Sequence, residues 1–198
     1  YKRQSYDGVS DIAFEKRGDR TVLTNRYRSG NSRISAQIPT EDNTPLYFLV
    51  ATGGGFIEGE KYYNIATLEK DAHAILTTQT PNYIYKCPNG KTTSQLNEVV
   101  VKEDAFLEYY IDEVIPYEDA IYYQKTFADI KKGGSLILTD GLTAGWSKSD
   151  TPFLYNKVDL KTKILYDDEL VFNDYLIVNP REEDMSELGL FEGYTNFN

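Results

Sequence analysis

Histidine, cysteine, tryptophan and methionine each occur once in these 198 residues, as His73, Cys87, Trp146 and Met185. One cysteine excludes an intrachain disulfide and favours a reducing compartment. One histidine beside one cysteine excludes a zinc-type ligand set drawn from this chain. It excludes a Ser-His-Asp triad as well, because His73 is the sole imidazole base and no serine sits in a nucleophile elbow. Basic residues are in the minority, 21 Lys and Arg against 31 Asp and Glu, for a formal charge of −10 and a pI near 4.7. That deficit argues against general nucleic-acid binding, which needs a basic face, and against docking on anionic membranes. No apolar run approaches the roughly 20 residues that span a bilayer, and no signal peptide is visible. The sequence starts at Tyr1 rather than Met, so it reads as a fragment or an ordered portion.

What is abundant points to β structure. Seventeen tyrosines and nine phenylalanines suit half-buried strands. Extended pieces are expected at residues 21–28, 33–38, 46–51, 62–68, 72–79, 83–86, 95–102, 105–111, 120–130, 135–140, 153–160, 163–166 and 169–178. In the 72–79 run, Ala72, Ala74, Leu76 and Thr78 face one way and His73, Ile75, Thr77 and Gln79 the other. This run and 62–68 form either a hairpin or successive sheet strands. The continuously apolar 46–51 run suits a strand buried on both faces. Residues 1–18 read as mixed and polar. Only 181–191 looks helical, with Pro180 before it and acids in its first turn. No linker divides the chain and its length suits one domain. The acidity keeps the protein soluble, or suits a basic partner or a cation.

The most specific stretch is 52–86. Gly53, Gly54 and Gly55 permit backbone angles that other residues avoid, and Gly59 adds a further permissive site before Glu60. This is no phosphate loop. A Walker motif needs glycine five residues before Gly90-Lys91-Thr92, where Tyr85 stands, and β-like sequence rather than a helix follows Gly59. A tight turn or close backbone packing accounts for the glycines. Glu58, Glu60, Glu108 and Asp112 could handle a hard or borderline cation transiently, although each alone reads as a solvated charge. A carboxylate pair for glycoside chemistry is not singled out by any spacing.

The ordered set Gly53-Gly54-Gly55, Gly59-Glu60, Thr77-Thr78-Gln79 and Tyr85-Lys86 resembles the urease accessory protein UreD family, also called UreH. Gln95, Leu107-Glu108-Tyr109, Ile115-Pro116-Tyr117, the 141–153 segment GLTAGWSKSDTPF and the late 188–194 segment extend the resemblance along nearly the whole chain. Glu60 stands where the family usually has aspartate, and Ala144 where it usually has proline. The resemblance implies one domain over 1–198, without the family's C-terminal end. It implies a nearly all-β fold of stacked mixed sheets in a β-helical-type arrangement, with one or two short helices.

Its functional implications go further than composition reaches. A UreD-like protein is a cytoplasmic scaffold and not an enzyme. It binds apo-urease subunits and recruits UreF, which brings the GTPase UreG, so that nickel enters the urease active site. It holds no tightly bound cofactor. Ni²⁺ is expected to pass transiently through an internal polar channel, with Glu60, Thr78, Gln79 and Glu108 as channel candidates. Tyr117 and Trp146 are expected to contact partners, or else to pack in the core. The alternative reading is an exported β-domain that binds carbohydrate or protein through its aromatics.

Overall fold

The computed structural model describes residues 5–198. Its strands are β1 (Gly8–Arg17), β2 (Arg20–Gly30), β3 (Ser32–Ile34), β4 (Leu46–Ala51), β5 (Lys61–Leu68), β6 (His73–Gln79), β7 (Asn82–Ile84) and β8 (Thr93–Val101). They continue as β9 (Phe106–Tyr110), β10 (Val114–Pro116), β11 (Ile121–Ile130), β12 (Ser135–Thr139), β13 (Leu142–Thr143), β14 (Lys157–Tyr166), β15 (Glu169–Val178) and β16 (Asn196–Phe197). Sheet A runs β15-β14-β11-β8-β5-β1-β2, sheet B runs β12-β9-β6-β4-β3 and sheet C runs β16-β13-β10-β7.

The chain visits the sheets in the order A, B, C and repeats, so β5-β6-β7, β8-β9-β10 and β11-β12-β13 are three successive coils of a solenoid. Strands of successive coils pair in parallel on all three faces. Antiparallel strands occur at the ends: β2 on β1, β3 on β4, β15 on β14 and β16 on β13. The charged turns of the sequence are the corners between sheets A and B. Asp71, Asp104 and Gly133 all take left-handed backbone angles there, which Asp and Gly tolerate. The corners stack, since the Asp71 amide donates to the Glu103 carbonyl and the Asp104 amide to the Lys132 carbonyl.

Alternation puts one face of each strand inside. One apolar cluster lies between sheets A and B, around Ile12, Phe14, Leu68, Leu76, Leu107 and Val101. A second lies towards sheet C, around Phe56, Tyr62, Ile84, Tyr122, Leu142 and Val158.

Several expectations change. The polar 1–18 segment contains β1, whose Val9, Ile12 and Phe14 are completely buried. β4 alternates, with Tyr47 and Leu49 buried and its other residues half-buried, so it is covered on one face only. β5 and β6 lie in different sheets and form no hairpin. Within the expected pair 153–160 and 163–166, residues 157–166 form the single strand β14, irregular where Ile164 and Leu165 meet β15, and residues 153–156 lie outside it. Residues 181–191 are a succession of turns, and no α-helix occurs among the described residues. Glu182 and Glu183 begin a helical turn on the Asn179 carbonyl. Asp184 then spends its carboxylate on the amide and hydroxyl of Ser186, a local bond that competes with helix propagation. Gly189 takes φ +85° and ends the attempt.

Candidate functional site

Between the two apolar clusters lies a layer of buried and half-buried polar side chains. It arises from register. Ser10, Asn64, Asn97, Thr126 and Thr162 stand opposite one another across β1, β5, β8, β11 and β14. Beside them, Gln95 of β8 stands opposite Gln124 of β11. Asn97, Gln124 and Thr126 have no exposed surface. Burying such groups is costly unless they are hydrogen-bonded, and here Asn64, Gln95, Asn97, Gln124 and Thr126 bond to one another. Asn64 Nδ2 donates to Asn97 Oδ1 at 3.0 Å, and Asn97 Nδ2 donates to Thr126 Oγ1 at 3.1 Å. Gln95 Nε2 reaches Asn97 Oδ1 at 3.2 Å and Gln124 Oε1 at 3.4 Å. The buried hydroxyl of Tyr122 also donates to Gln124 Oε1, at 3.0 Å. The result is a continuous polar track along the solenoid axis.

The track has two distinct ends. Towards the first coil it meets a cavity of about 20 Å³ lined by Ser10, Ser32, Tyr62, Asn64, Thr78 and Asn82, room for about one water. Ser10 Oγ and Asn82 Nδ2 have no hydrogen-bond partner there. Towards the last coil it meets Asp140, whose carboxylate accepts Gln124 Nε2 at 3.2 and 3.3 Å and the Gly141 amide at 2.9 Å. Burial pushes the Asp140 carboxyl up to about 6 against those donors.

The glycine triplet bridges β4 to β5 and supplies the first segment of the third face. Phe56 pairs in parallel with Ile84. Gly53, Gly54 and Gly59 take positive φ, and a Cβ on Gly55 would stand 2.8 Å from the Tyr83 carbonyl oxygen. A tight turn and close backbone packing thus occur in one corner. Glu60 follows at the corner into β5. It accepts the Ile57 amide at 2.8 Å, the Tyr62 hydroxyl at 2.9 Å and Asn31 Nδ2 at 2.9 Å. Tyr62 lines the small cavity, so Glu60 reaches the track through it.

The other named residues separate. Thr78 points inward, lines the small cavity and accepts the Asp112 amide at 2.9 Å. Gln79 lies on the opposite face and is exposed. Glu108 also faces outward. It meets His73 Nε2 at 2.8 Å and accepts the Tyr110 hydroxyl at 2.7 Å, and the His73 ring stacks on Phe106. The Tyr110 bond first, opposed by partial burial and aided by His73, holds the Glu108 carboxyl below its ordinary value. Glu58 pins the next coil's turn by accepting the amides of Asn89 and Lys91.

Tyr117 and Trp146 come together on the outer surface of sheet C. Their rings lie 4.7 Å apart, and Tyr85 meets Tyr117 edge-on at 5.2 Å. Trp146 is 47% exposed, so this row is a surface feature rather than core.

Sequence reasoning missed Asn64, Asn97, Gln124, Thr126 and Asp140. The signal was present. Each of the first four breaks an apolar alternation at an inward position, and Asn64 and Asn97 stand at matching distances before an acidic corner.

Comparison with known families matches residues 6–198 to the UreD urease accessory protein. The urease accessory protein UreD of Streptococcus salivarius (strain 57.I) is 46% identical over 195 residues, covering 98% of this chain and 70% of that protein. That of Streptococcus thermophilus (strain CNRZ 1066) is 45% identical over 195 residues with the same shares. That of Bacillus sp. (strain TB-90) is 31% identical over 189 residues, 96% of this chain and 69% of the relative. With its ordered motifs, its β-solenoid and these relatives, the chain belongs to the UreD urease accessory protein family.

Proposed function

We infer that this chain is a non-catalytic scaffold of urease maturation, and that Ni²⁺ bound for urease travels along its interior as cargo. The observation that carries the reading is the in-register polar track, Ser10-Asn64-Asn97-Thr126, flanked by Gln95 and Gln124. Six amides and hydroxyls line this track where leucine and valine would otherwise pack, and burying polar groups is costly. The chemistry suits transit. Amide and hydroxyl oxygens are weak, neutral ligands for a borderline cation, so an ion would move between them without being trapped. Asp140 supplies a carboxylate at one end of the path, and Glu60, through Tyr62, a carboxylate near the other.

The proposed partners are apo-urease subunits and UreF, with UreG joining through UreF, in the cytoplasm. The Tyr85-Tyr117-Trp146 row is the proposed contact surface, because exposed, pre-packed aromatics anchor interfaces. No helix among the described residues is long and apolar enough to cross a membrane. The same aromatic row is what an exported carbohydrate-binding domain would use, but family membership favours the urease reading.

The test is complementation of urease-expressing cells that lack this gene, with urease nickel content measured beside activity. The native chain restores both. Asn97→Leu combined with Thr126→Val fills the track with apolar side chains and is expected to cut urease nickel content at least tenfold while the complex still co-purifies. Unchanged nickel loading by a variant shown to be folded would sink the route. Failure of the native chain to co-purify with urease would sink the scaffold.

A further inference from the structure

Five of the seven arginines of the chain, Arg17, Arg20, Arg26, Arg28 and Arg33, fall within residues 17–33, and all 14 lysines lie outside that stretch. Residues 16–40 hold six basic residues and one acid, +5 in a chain of −10, so the other 173 residues carry −15. The fold gathers these arginines at one end. Among the described residues β2 is the outermost strand of sheet A and β3 that of sheet B, so the first end of the solenoid presents two open strand edges. Register sets Arg26 opposite Ile12 and Arg28 opposite Ser10 of β1, so both leave β2 on the inner side of sheet A. Arg26 reaches across to β3, where it donates to the Ile34 carbonyl at 3.0 Å.

The charge at this end is uncompensated. Arg20, Arg26, Arg28 and Arg33 are all exposed, and none of them is paired with a carboxylate among the described residues. Arg26 and Arg33 donate to backbone carbonyls, and within the cluster Arg17 alone meets an acid, Glu15. Charge on an open edge commonly blunts pairing between copies. Here the sign is wrong for that task, because a basic edge attracts the acidic remainder of another copy and an acidic edge would repel it. The choice of arginine adds a second argument. Lysine supplies most of the positive charge elsewhere in the chain as a compact point charge, whereas the planar guanidinium forks onto a carboxylate through two parallel hydrogen bonds. Arg181, outside the cluster, already meets a carboxylate, that of Asp119, at 2.9 Å.

We propose that the β2 edge is a docking site for an acidic, extended segment of another protein, added to sheet A as a further strand. The unpaired backbone groups of the edge supply the ladder, and the side chains supply the selectivity. Successive side chains of a strand alternate between faces, so residues two apart share a face about 7 Å from one another. Arg26 and Arg28 are spaced in that way. The segment that fits them carries carboxylates on alternate residues, each opposite one guanidinium. A nucleic acid offers no backbone ladder to a strand edge, and beyond the patch it would meet the −15 of the remaining chain. Symmetric pairing of β2 with β2 of a second copy would set arginine against arginine. The proposal does not rest on the nickel route, and it uses a different surface from the aromatic row of sheet C.

The probe is a capped ten-residue peptide of alternating Glu and Val, titrated into the 198-residue protein at low salt, where exposed charges are least screened. Its controls are a peptide of the same composition with the Glu and Val in two blocks, and an alternating Lys-Val peptide. The alternating Glu-Val peptide is expected to bind at least tenfold tighter than either control. It should slow hydrogen exchange of amides in residues 21–29 at least fivefold and leave those of β15 unchanged. Arg28 makes no hydrogen bond among the described residues, so Arg28→Glu keeps the fold and should weaken binding at least fivefold. Arg26→Glu combined with Arg28→Glu should transfer binding to the Lys-Val peptide. Equal binding of the block peptide overturns the proposal, as does binding without protection of β2 or binding that survives the charge reversals. Oligouridylate or phosphatidylserine vesicles that bind through the same arginines where the peptide does not would assign the end to a nucleic acid or a membrane instead. Protection of β2 that rises with protein concentration alone would assign it to a second copy. Each of these results also overturns docking of an acidic segment. Exchange uses the unmutated protein, so a misfolded variant leaves the outcome decidable.

Discussion

Gln124 has no exposed surface, yet both of its amide hydrogen bonds to a carboxylate go to Asp140. That arrangement makes Asp140 a titrating part of the fold. Its carboxyl is raised from an ordinary 3.8 to about 6, chiefly by burial. The folded chain therefore holds the Asp140 proton more tightly than the unfolded chain does. The Asp140 contribution to stability is full below about 4, falls as pH rises towards 6 and is flat above that. Asp140→Asn removes this dependence. Urea denaturation from pH 4 to 7.5 should show the variant gaining on the native chain as pH rises, with the difference level above about 6.5. A pH-independent difference would place Asp140 in an ordinary solvated setting. Glu60 makes a contrasting case. Its three donors tie Asn31, Ile57 and Tyr62 into one corner. Glu60→Ala is expected to cost about 1–3 kcal/mol of stability by urea denaturation, because a partly buried network loses its acceptor. Glu60→Gln should recover part of that.

Among the elements, the glycine corner and the aromatic row make opposite predictions. Gly55→Ala would drive a methyl into the Tyr83 carbonyl at 2.8 Å and the Tyr85 ring at 3.0 Å. Overpacking of this kind costs roughly 1–3 kcal/mol, so the urea midpoint should fall. Trp146→Ala removes an exposed ring from the end of the Tyr85-Tyr117 row. It should leave the melting temperature within a few degrees of native and weaken co-purification with urease at least tenfold, about 1.4 kcal/mol or more. Unfolding of that variant would instead assign Trp146 to packing. These elements were read unequally well from sequence. Alternation located β6 and β11 because one buried face per strand imposes a period of two. It missed β1, where Ser10 and Asp11 sit buried among apolar neighbours and mask the pattern. Residues 181–191 misled because acids near a proline satisfy helix-start rules, while the competing Asp184–Ser186 bond is equally local and won.

The whole molecule is a stack in which each coil contacts its neighbours, so local stability should follow position along the axis. Native-state hydrogen exchange is expected to be slowest in β5, β8 and β11, which are paired on both sides in sheet A. It should be fastest in β15 and β16, which end their sheets and are largely exposed. Uniform protection across the chain would mean that the coils open as one unit.

Composition and alternation determined that the chain is β-rich, acidic and without a triad or zinc set, since those follow from residue counts and from a period set by backbone geometry. The glycine triplet and the ordered motifs were enough to indicate the family. Neither could say that β5 and β6 turn a corner instead of forming a hairpin, because both options satisfy the same alternation. Nor could they assemble the polar track. Asn64, Asn97 and Thr126 are far apart in sequence, and only parallel register between coils of unequal length brings them into hydrogen-bonding distance. The same register turned Glu108 outward and Thr78 inward, because the side a residue faces depends on which sheet is packed behind its strand.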